Sequence, residues 1–190
     1  MSDVWALRAL EIVAEFLPRA FADPSDDMAR MQMILASSMA GIGFGNAGVH
    51  VPHAMAYPVA GLVRDFRPAG YSTQHPLIPH GMSVILHTPA VARFTAPTAP
   101  ERHLLAAKAL GADVSQAHLA DAGRILADRI IDFIQQLAMP NGLKNVGYAA
   151  ADIPSLVRGT LPQQRLLKLS PRTTEAAELA KLFEQSMTVW

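Results

Sequence analysis

The sequence has 190 residues, of which 51% are hydrophobic and 17% are charged. It is therefore long enough for a domain with a substantial core and too apolar for a disordered chain. Lys plus Arg and Asp plus Glu each number 16, so charge gives no case for binding nucleic acid or an anionic membrane surface. Because the sequence contains no cysteine, disulfides, thiolate chemistry and cysteine-based zinc sites are excluded.

Two amphipathic helices are predicted at the N-terminus. The charged residues Asp3, Arg8 and Glu11 lie within the apolar pattern of the first helix, and their presence indicates a folded helix rather than a signal peptide. This helix should end between Pro18 and Pro24. Ser25 is the candidate N-cap of the second helix, whose apolar stripe comprises Met28, Met31, Leu35, Met39 and Ile42. No segment has the ~18 uninterrupted apolar residues of a membrane span. We therefore expect a soluble cytoplasmic protein with no membrane association.

Helical periodicity continues through the rest of the chain. The clearest helix is predicted over residues 115–139, and shorter helices are predicted over 101–110, 152–161 and 174–188. Val84-Ile85-Leu86 fits either a short strand or a buried helical turn. Strand patterns are too sparse for a sheet, so the predicted class is all-α, with one helical domain over residues 1–190. The long irregular segment 64–79 has a length that is often functional in compact domains.

Histidines provide the main candidates for chemistry. His50 and His53 are three residues apart, so they share a face if they lie on a helix, and Tyr57 continues that face. His80 follows the irregular segment within Pro79-His80-Gly81. Neutral imidazoles are good ligands for divalent first-row metals, but a hydrogen-bonded structural pair is the commoner outcome at this spacing, and both interpretations stay open. The other four histidines are expected to be structural: His75, His87, His103 and His118.

The segment from Gly43 to Gly48 matches the dinucleotide-binding pattern G-x-G-x-x-G. That pattern requires a strand before it and a helix that begins within it. Here a Met-rich helical segment precedes it and Pro52 follows closely. We therefore predict that these glycines let a helix pass close to a neighbour and then end it before the histidines.

The phrase FGNAGVHVPHAMAYP over residues 44–58 resembles the signature of the iron-containing alcohol dehydrogenases. In that family an Asn-Ala-Gly run leads to a metal-ligating histidine, and a later Pro-His-Gly supplies the next ligand. Three further segments are similar to the hydroxyacid-oxoacid transhydrogenase branch: DAGRILAD, DIPSLVRGTLPQQRLLKLSP and LFEQSM. The resemblance covers essentially the whole chain. It implies a helical bundle like the C-terminal domain of the dehydroquinate synthase-like, iron-dependent alcohol dehydrogenase fold.

The resemblance implies that His53 and His80 ligate Fe²⁺, with Zn²⁺ as the alternative. It does not make His50 a ligand, because most of the family has an apolar residue there. Tyr57 stands where many members place a second histidine near the substrate, and we expect it to donate a hydrogen bond to the substrate or to close the pocket. Arg64 and Arg67, in the loop between the ligands, are expected to bind a substrate carboxylate, from charge and placement only.

The resemblance also implies a larger enzyme. Family members have an N-terminal α/β domain that binds NAD(P), followed by an Asp and a His that complete the metal site. This sequence starts just after that point, so we expect the NAD(P) domain and two of four ligands to be absent, metal binding to be weak and the chain to be inactive alone. A complementary α/β chain could supply the missing part. The implied substrates are alcohols or small hydroxyacids and oxoacids, such as 4-hydroxybutyrate and 2-oxoglutarate.

Two further expectations concern assembly and an alternative function. Apolar residues are frequent in segment 1–60, which predicts an exposed patch and a homo-oligomer. The alternative to an enzyme part is a non-catalytic helical binding or structural module that kept the fold and lost the chemistry.

Overall fold

The structure is a computed structural model that describes residues 1–190 and contains α-helices, short 3₁₀ turns and no strand. The predicted all-α class is confirmed. The helices are α1 (Ser2–Ala22), α2 (Asp27–Ala47), α3 (Val51–Gly61), α4 (His80–Ile85), α5 (Thr88–Thr95), α6 (Pro100–Ala109), α7 (Ala122–Gln136), α8 (Ile153–Thr160), α9 (Gln164–Leu167) and α10 (Ala176–Gln185). None of these helices is both long enough and apolar enough to cross a membrane.

Helices α1 and α2 form an antiparallel hairpin, so that the start of α1 meets the end of α2. Asn46 near the end of α2 donates a hydrogen bond to the Ser2 hydroxyl over 2.9 Å. The predicted N-cap at Ser25 is wrong, because the Ser25 hydroxyl donates to the Asp23 carboxylate instead. The cap is Asp26, whose carboxylate accepts from the Ala29 amide at 2.9 Å, an arrangement that satisfies one of the free amides at the helix start.

The glycines of the G-x-G-x-x-G match lie inside or just after α2. A Cβ on Gly43 would make ordinary van der Waals contact, 3.5 Å from the Ser2 carbonyl oxygen, and a Cβ on Gly45 would meet no atom within 4 Å, so the contact of α2 with α1 does not require glycine at either position. Gly48 ends α2 with a φ of 78°, and a side chain there would clash with Leu169. The predicted helix end is therefore confirmed, the predicted need for glycine in the helix contact is not, and no strand precedes the motif.

The largest core lies between α3, α4, α5, α8, α9 and α10. It contains 19 buried residues, including Met55, Leu86, Leu156 and Phe183. Val84 and Ile85 belong to α4, which decides the open choice between strand and helical turn. Residues 62–79 are irregular, and the short helices predicted over 101–110, 152–161 and 174–188 correspond to α6, α8 and α10.

The longest predicted helix is shorter in the structure. Helix α7 spans Ala122–Gln136 rather than 115–139, and a 3₁₀ turn at Leu119–Asp121 precedes it. The Asp113 carboxylate accepts from the Ser115 amide at 2.9 Å, and this local bond favours a turn over a helix. At the other end Ala138 adopts a φ of 51°, so the chain leaves the helix before Pro140.

Candidate metal centre

Helix α3 directs two polar side chains away from the core. Its buried positions recur at steps of three and four, and they include Val51, Ala54, Met55 and Val59. His53 and Tyr57 are four residues apart and therefore lie one turn from each other on the opposite face. His53 is half-buried and Tyr57 is 46% exposed.

His80 is the first residue of α4 and follows Pro79, the N-cap residue of that helix. The Ser83 hydroxyl donates to the His80 carbonyl oxygen over 2.8 Å, which ties the start of α4 together. The His53 and His80 ring centroids are 5.4 Å apart, and the ring planes are inclined by 58°. The structure thus brings together the two predicted ligands from either side of the irregular segment.

The electrostatics of this pair suit metal ligation. Burial, and secondarily the neighbouring His80, lowers the pKa of His53 below its ordinary value, which keeps the ring neutral with a lone pair available at neutral pH. Two imidazole nitrogens are suitable donors for Fe²⁺ or Zn²⁺. No group of three or more His, Asp or Glu side chains lies close enough to hold an ion. The pair therefore fits a divalent metal as two of its ligands.

His50 precedes α3 and is separate from this pair. Burial is the main cause that lowers its pKa, and His53 and His103 contribute. Its Nδ1 atom is buried and has no hydrogen-bond partner.

His87 is a structural residue, as expected from the sequence, and the fold shows which element it supports. It is fully buried, and its Nε2 donates to the Pro52 carbonyl oxygen at 2.8 Å. Its ring packs edge-on against Phe183, with centroids 6.3 Å apart. Burial lowers the pKa of His87 to about 4, although the bond to Pro52 opposes that shift. This neutral imidazole holds the first turn of α3, next to His53. The only sequence signal was a histidine at the start of a Thr-Pro helix.

Arg165 is a residue that sequence analysis missed. It is exposed on α9, and its Nη2 donates to the Tyr57 hydroxyl over 2.9 Å. In the sequence it resembles any surface arginine, and no spacing pattern connects it to Tyr57. Only the fold brings α9 beside the exposed face of α3.

The two arginines proposed from the sequence have different surroundings. Arg64 makes a two-pronged ion pair with Asp152, at 2.8 and 2.9 Å, and lies over the Tyr148 ring. This pairing counts against a role in binding another anion. Arg67 donates to the Thr73 carbonyl oxygen at 2.9 Å. It also lines a cleft of about 1020 Å³ together with Pro79 and Gly81, the two neighbours of His80.

Comparison with known proteins matches this chain to one family. Residues 1–187 match the model of the Fe-containing alcohol dehydrogenase family, C-terminal. A mitochondrial hydroxyacid-oxoacid transhydrogenase from Xenopus laevis is 56% identical over 190 residues, which are 100% of this chain and 41% of that protein. The chain therefore spans less than half the length of this relative.

Solved structures share the fold. A crystal structure of 1,3-propanediol oxidoreductase superposes with a TM-score of 0.85 and 27% identity, over 97% of this chain and 45% of that one. A sulfoacetaldehyde reductase from Bifidobacterium kashiwanohense in complex with NAD⁺ superposes with a TM-score of 0.77 and 25% identity, over 98% of this chain and 44% of that one. The cytoplasmic location expected from the sequence is wrong by this comparison, because the names of the Xenopus relative and of one from Dictyostelium discoideum both specify the mitochondrion.

Proposed function

Because the chain belongs to the Fe-containing alcohol dehydrogenase family, we propose that it is the helical, metal-ligating part of an NAD(P)-linked oxidoreductase for small hydroxyacids and oxoacids. The observation that carries this proposal is the approach of the His53 and His80 rings, with centroids 5.4 Å apart. The substrate class rests on the name of the transhydrogenase relative.

The two imidazoles would hold Fe²⁺, with Zn²⁺ as the alternative. An ion bound there would supply Lewis-acid chemistry, which polarises an alcohol or carbonyl oxygen. The cofactor contacts would come from the part of the enzyme that these 190 residues do not represent, since the chain spans 41% of the relative. A related reductase structure contains NAD⁺, which supports a nicotinamide cofactor for the complete enzyme.

Substrate contacts are proposed on the same surface. Tyr57 lies one helical turn from His53, and its hydroxyl proton is free to bond a substrate oxygen. Of the two arginines expected from the sequence, Arg64 is paired with Asp152, and Arg67 lines a cleft whose lining includes Pro79 and Gly81 but not His53, His80 or Tyr57.

The test is metal binding by the 190-residue chain under anaerobic conditions. The chain is incubated with Fe²⁺ or Zn²⁺, and free and bound metal are measured after dialysis by elemental analysis. Binding should be weak, since two imidazoles leave coordination positions to water, and it should be lost in both His53→Ala and His80→Ala. The exposed His118 provides the control, because His118→Ala removes an imidazole remote from the pair. Equal metal content in all four proteins would contradict the proposal.

The second candidate is a helical binding or structural module without catalysis. A two-ligand pair favours it, because known catalytic zinc sites use three protein ligands and no third His, Asp or Glu joins His53 and His80 here. Mixing the chain with a complementary α/β chain that supplies an Asp and a His separates the two candidates. Restored NAD(P)-dependent activity that requires His53 supports the enzyme, and complex formation without metal or activity supports the module.

A further inference from the structure

Arg165 has an unusual position among the arginines of this protein. Its Nη2 donates to the Tyr57 hydroxyl at 2.9 Å. Tyr57 follows His53 by one turn of α3, and His53 lies beside His80, so the contact between Arg165 and Tyr57 is one helical turn along α3 from the histidine pair. A guanidinium therefore contacts the side chain that follows a candidate metal ligand by one helical turn, although no sequence pattern links the two.

The charge of Arg165 has no partner within the protein. Seven arginines form ion pairs, and Arg165 is not among them. Its one side-chain hydrogen bond goes to the neutral Tyr57 hydroxyl, which accepts that bond and keeps its own proton to donate. Arg64 is the opposite case, because Asp152 accepts from two of its nitrogens.

These two side chains together form a donor set for a carboxylate. A guanidinium offers several N–H donors in a planar fork that matches the two oxygens of a carboxylate. The phenol adds an O–H donor beside it. Because Tyr57 is one helical turn from His53, a carboxylate bound here would lie several ångströms from an oxygen held near the histidine pair. That separation fits a small acid whose reacting oxygen and carboxylate are at opposite ends.

We propose that Arg165 and Tyr57 bind the carboxylate of the substrate and thereby select hydroxyacids and oxoacids over neutral alcohols. The selection of acids rests on the proposed function, whereas the binding of a carboxylate by these two residues does not require it. The assignment differs from that made from the sequence, which placed this role at Arg64 and Arg67.

The test compares two ligands of matched length, 4-hydroxybutanoate and butane-1,4-diol. Each is titrated into the isotope-labelled 190-residue chain without metal, and dissociation constants are derived from NMR chemical shifts. The variants are Arg165→Gln, Arg165→Lys and Tyr57→Phe. The control is Arg158→Gln, which removes another exposed arginine whose side chain bonds to Ser155.

Arg165→Gln should weaken binding of the acid by about tenfold or more, since a hydrogen bond to a charged group contributes about 1.5–3 kcal/mol. Arg165→Lys should recover part of the loss, because it keeps the charge and loses the fork. Tyr57→Phe should produce a smaller loss, and neither substitution of Arg165 should alter binding of the diol. Equal effects of Arg165→Gln and Arg158→Gln, or no saturable shifts with the acid in the unmodified chain, would overturn the proposal. Since no metal is added, a failed metal-binding experiment and a failed carboxylate site remain distinguishable.

Discussion

The two regions of the molecule differ in how their helices are stabilised. The region of α3–α5 and α8–α10 encloses a cluster of 19 buried hydrophobic residues. The α1–α2 hairpin has a cluster of three, namely Ala9, Ile12 and Ala36. On α2 the large side chains are instead exposed: Met28, Met31, Ile34, Leu35 and Ile42. The proposed ligands thus lie on the well-packed region, whereas the hairpin presents apolar surface.

This difference has a functional consequence. A metal pair needs its side chains held in a fixed relation, and such positioning is best achieved on elements with buried supporting contacts. His53 lies in the first turn of a helix whose other face is buried, and the fully buried His87 bonds to the Pro52 carbonyl oxygen in that same turn. The hairpin carries no comparable site and is expected to open at lower free energy than the core.

The largest expected effect compares two phenylalanines. Phe183 is fully buried in the main core, whereas Phe44 on α2 is 54% exposed. Phe183→Ala should lower the free energy of unfolding by about 3–5 kcal/mol, because it leaves a cavity beside Leu182 and His87. Phe44→Ala should change it by less than about 0.5 kcal/mol. Urea denaturation followed by circular dichroism measures both. Similar losses would show that the hairpin is as tightly packed as the core.

The second prediction concerns pH. Burial lowers the pKa of His87 to about 4 from an ordinary value of 6.5, so between these values the unfolded chain binds a proton that the folded chain does not. Stability should therefore fall as the pH drops from 6.5 towards 4, with a slope of about 1.4 kcal/mol per pH unit from this residue, and should be unaffected by it above 6.5.

The variant His87→Gln isolates this contribution, since an amide can still donate to the Pro52 carbonyl oxygen while it does not titrate. Between pH 4 and 6.5 the free energy of unfolding of this variant should depend less steeply on pH, because the variant lacks the one proton that His87 contributes to the slope. Phe44→Ala, a substitution at an exposed residue that does not titrate, should keep the slope of the unmodified protein. The slopes come from urea midpoints measured across this pH range. An unchanged slope in His87→Gln would contradict a neutral buried imidazole.

The sequence was sufficient for much of the fold because helix signals are local. The spacing of apolar residues predicted α2, α6, α8 and α10, and Gly48 marked the end of α2. It failed at Ser25 and at residues 113–118, where competing side-chain bonds to Asp23 and Asp113 decide the local conformation. Such choices depend on local hydrogen bonds between side chains and the backbone or other side chains, which the spacing of apolar residues does not encode.

The candidate site was only partly accessible from the sequence. The approach of His53 and His80 could be anticipated because each lies in a short motif of the family that the chain resembles. The contact of Arg165 with Tyr57 could not be anticipated, and His87 was expected only to be structural, because its bond to Pro52 also forms only when distant segments pack together. Conversely, the sequence alone suggested that Arg64 was free to bind a substrate carboxylate, because its ion pair with Asp152 forms only in the folded chain.

A third prediction uses two glycines in helices. A Cβ on Gly159 of α8 would lie 2.6 Å from the Pro58 Cβ of α3, whereas a Cβ on Gly41 of α2 would meet no atom within 4 Å. Gly159→Ala should therefore cost about 1–3 kcal/mol through overpacking. Gly41→Ala should add up to about 1 kcal/mol, because alanine is the better helix former. Thermal and urea unfolding measure both, and the same sign for the two substitutions would contradict the contrast between packed core and open hairpin.

The smallest expected effect on stability tests whether the exposed hairpin surface mediates self-association. Ile34 is 69% exposed, so Ile34→Lys should change the free energy of unfolding by less than about 0.5 kcal/mol.

If the apolar face of α2 packs against a second copy of the chain, the unmodified chain should sediment as a dimer or larger species at high concentration. Ile34→Lys should then shift the distribution towards monomer, because the new charge would lose water in the interface. Leu119→Lys, at a leucine that is 51% exposed outside the hairpin, serves as the control and should sediment like the unmodified chain. A monomeric unmodified chain would remove self-association as the explanation for this surface, and equal shifts in both variants would show that association does not depend on the hairpin.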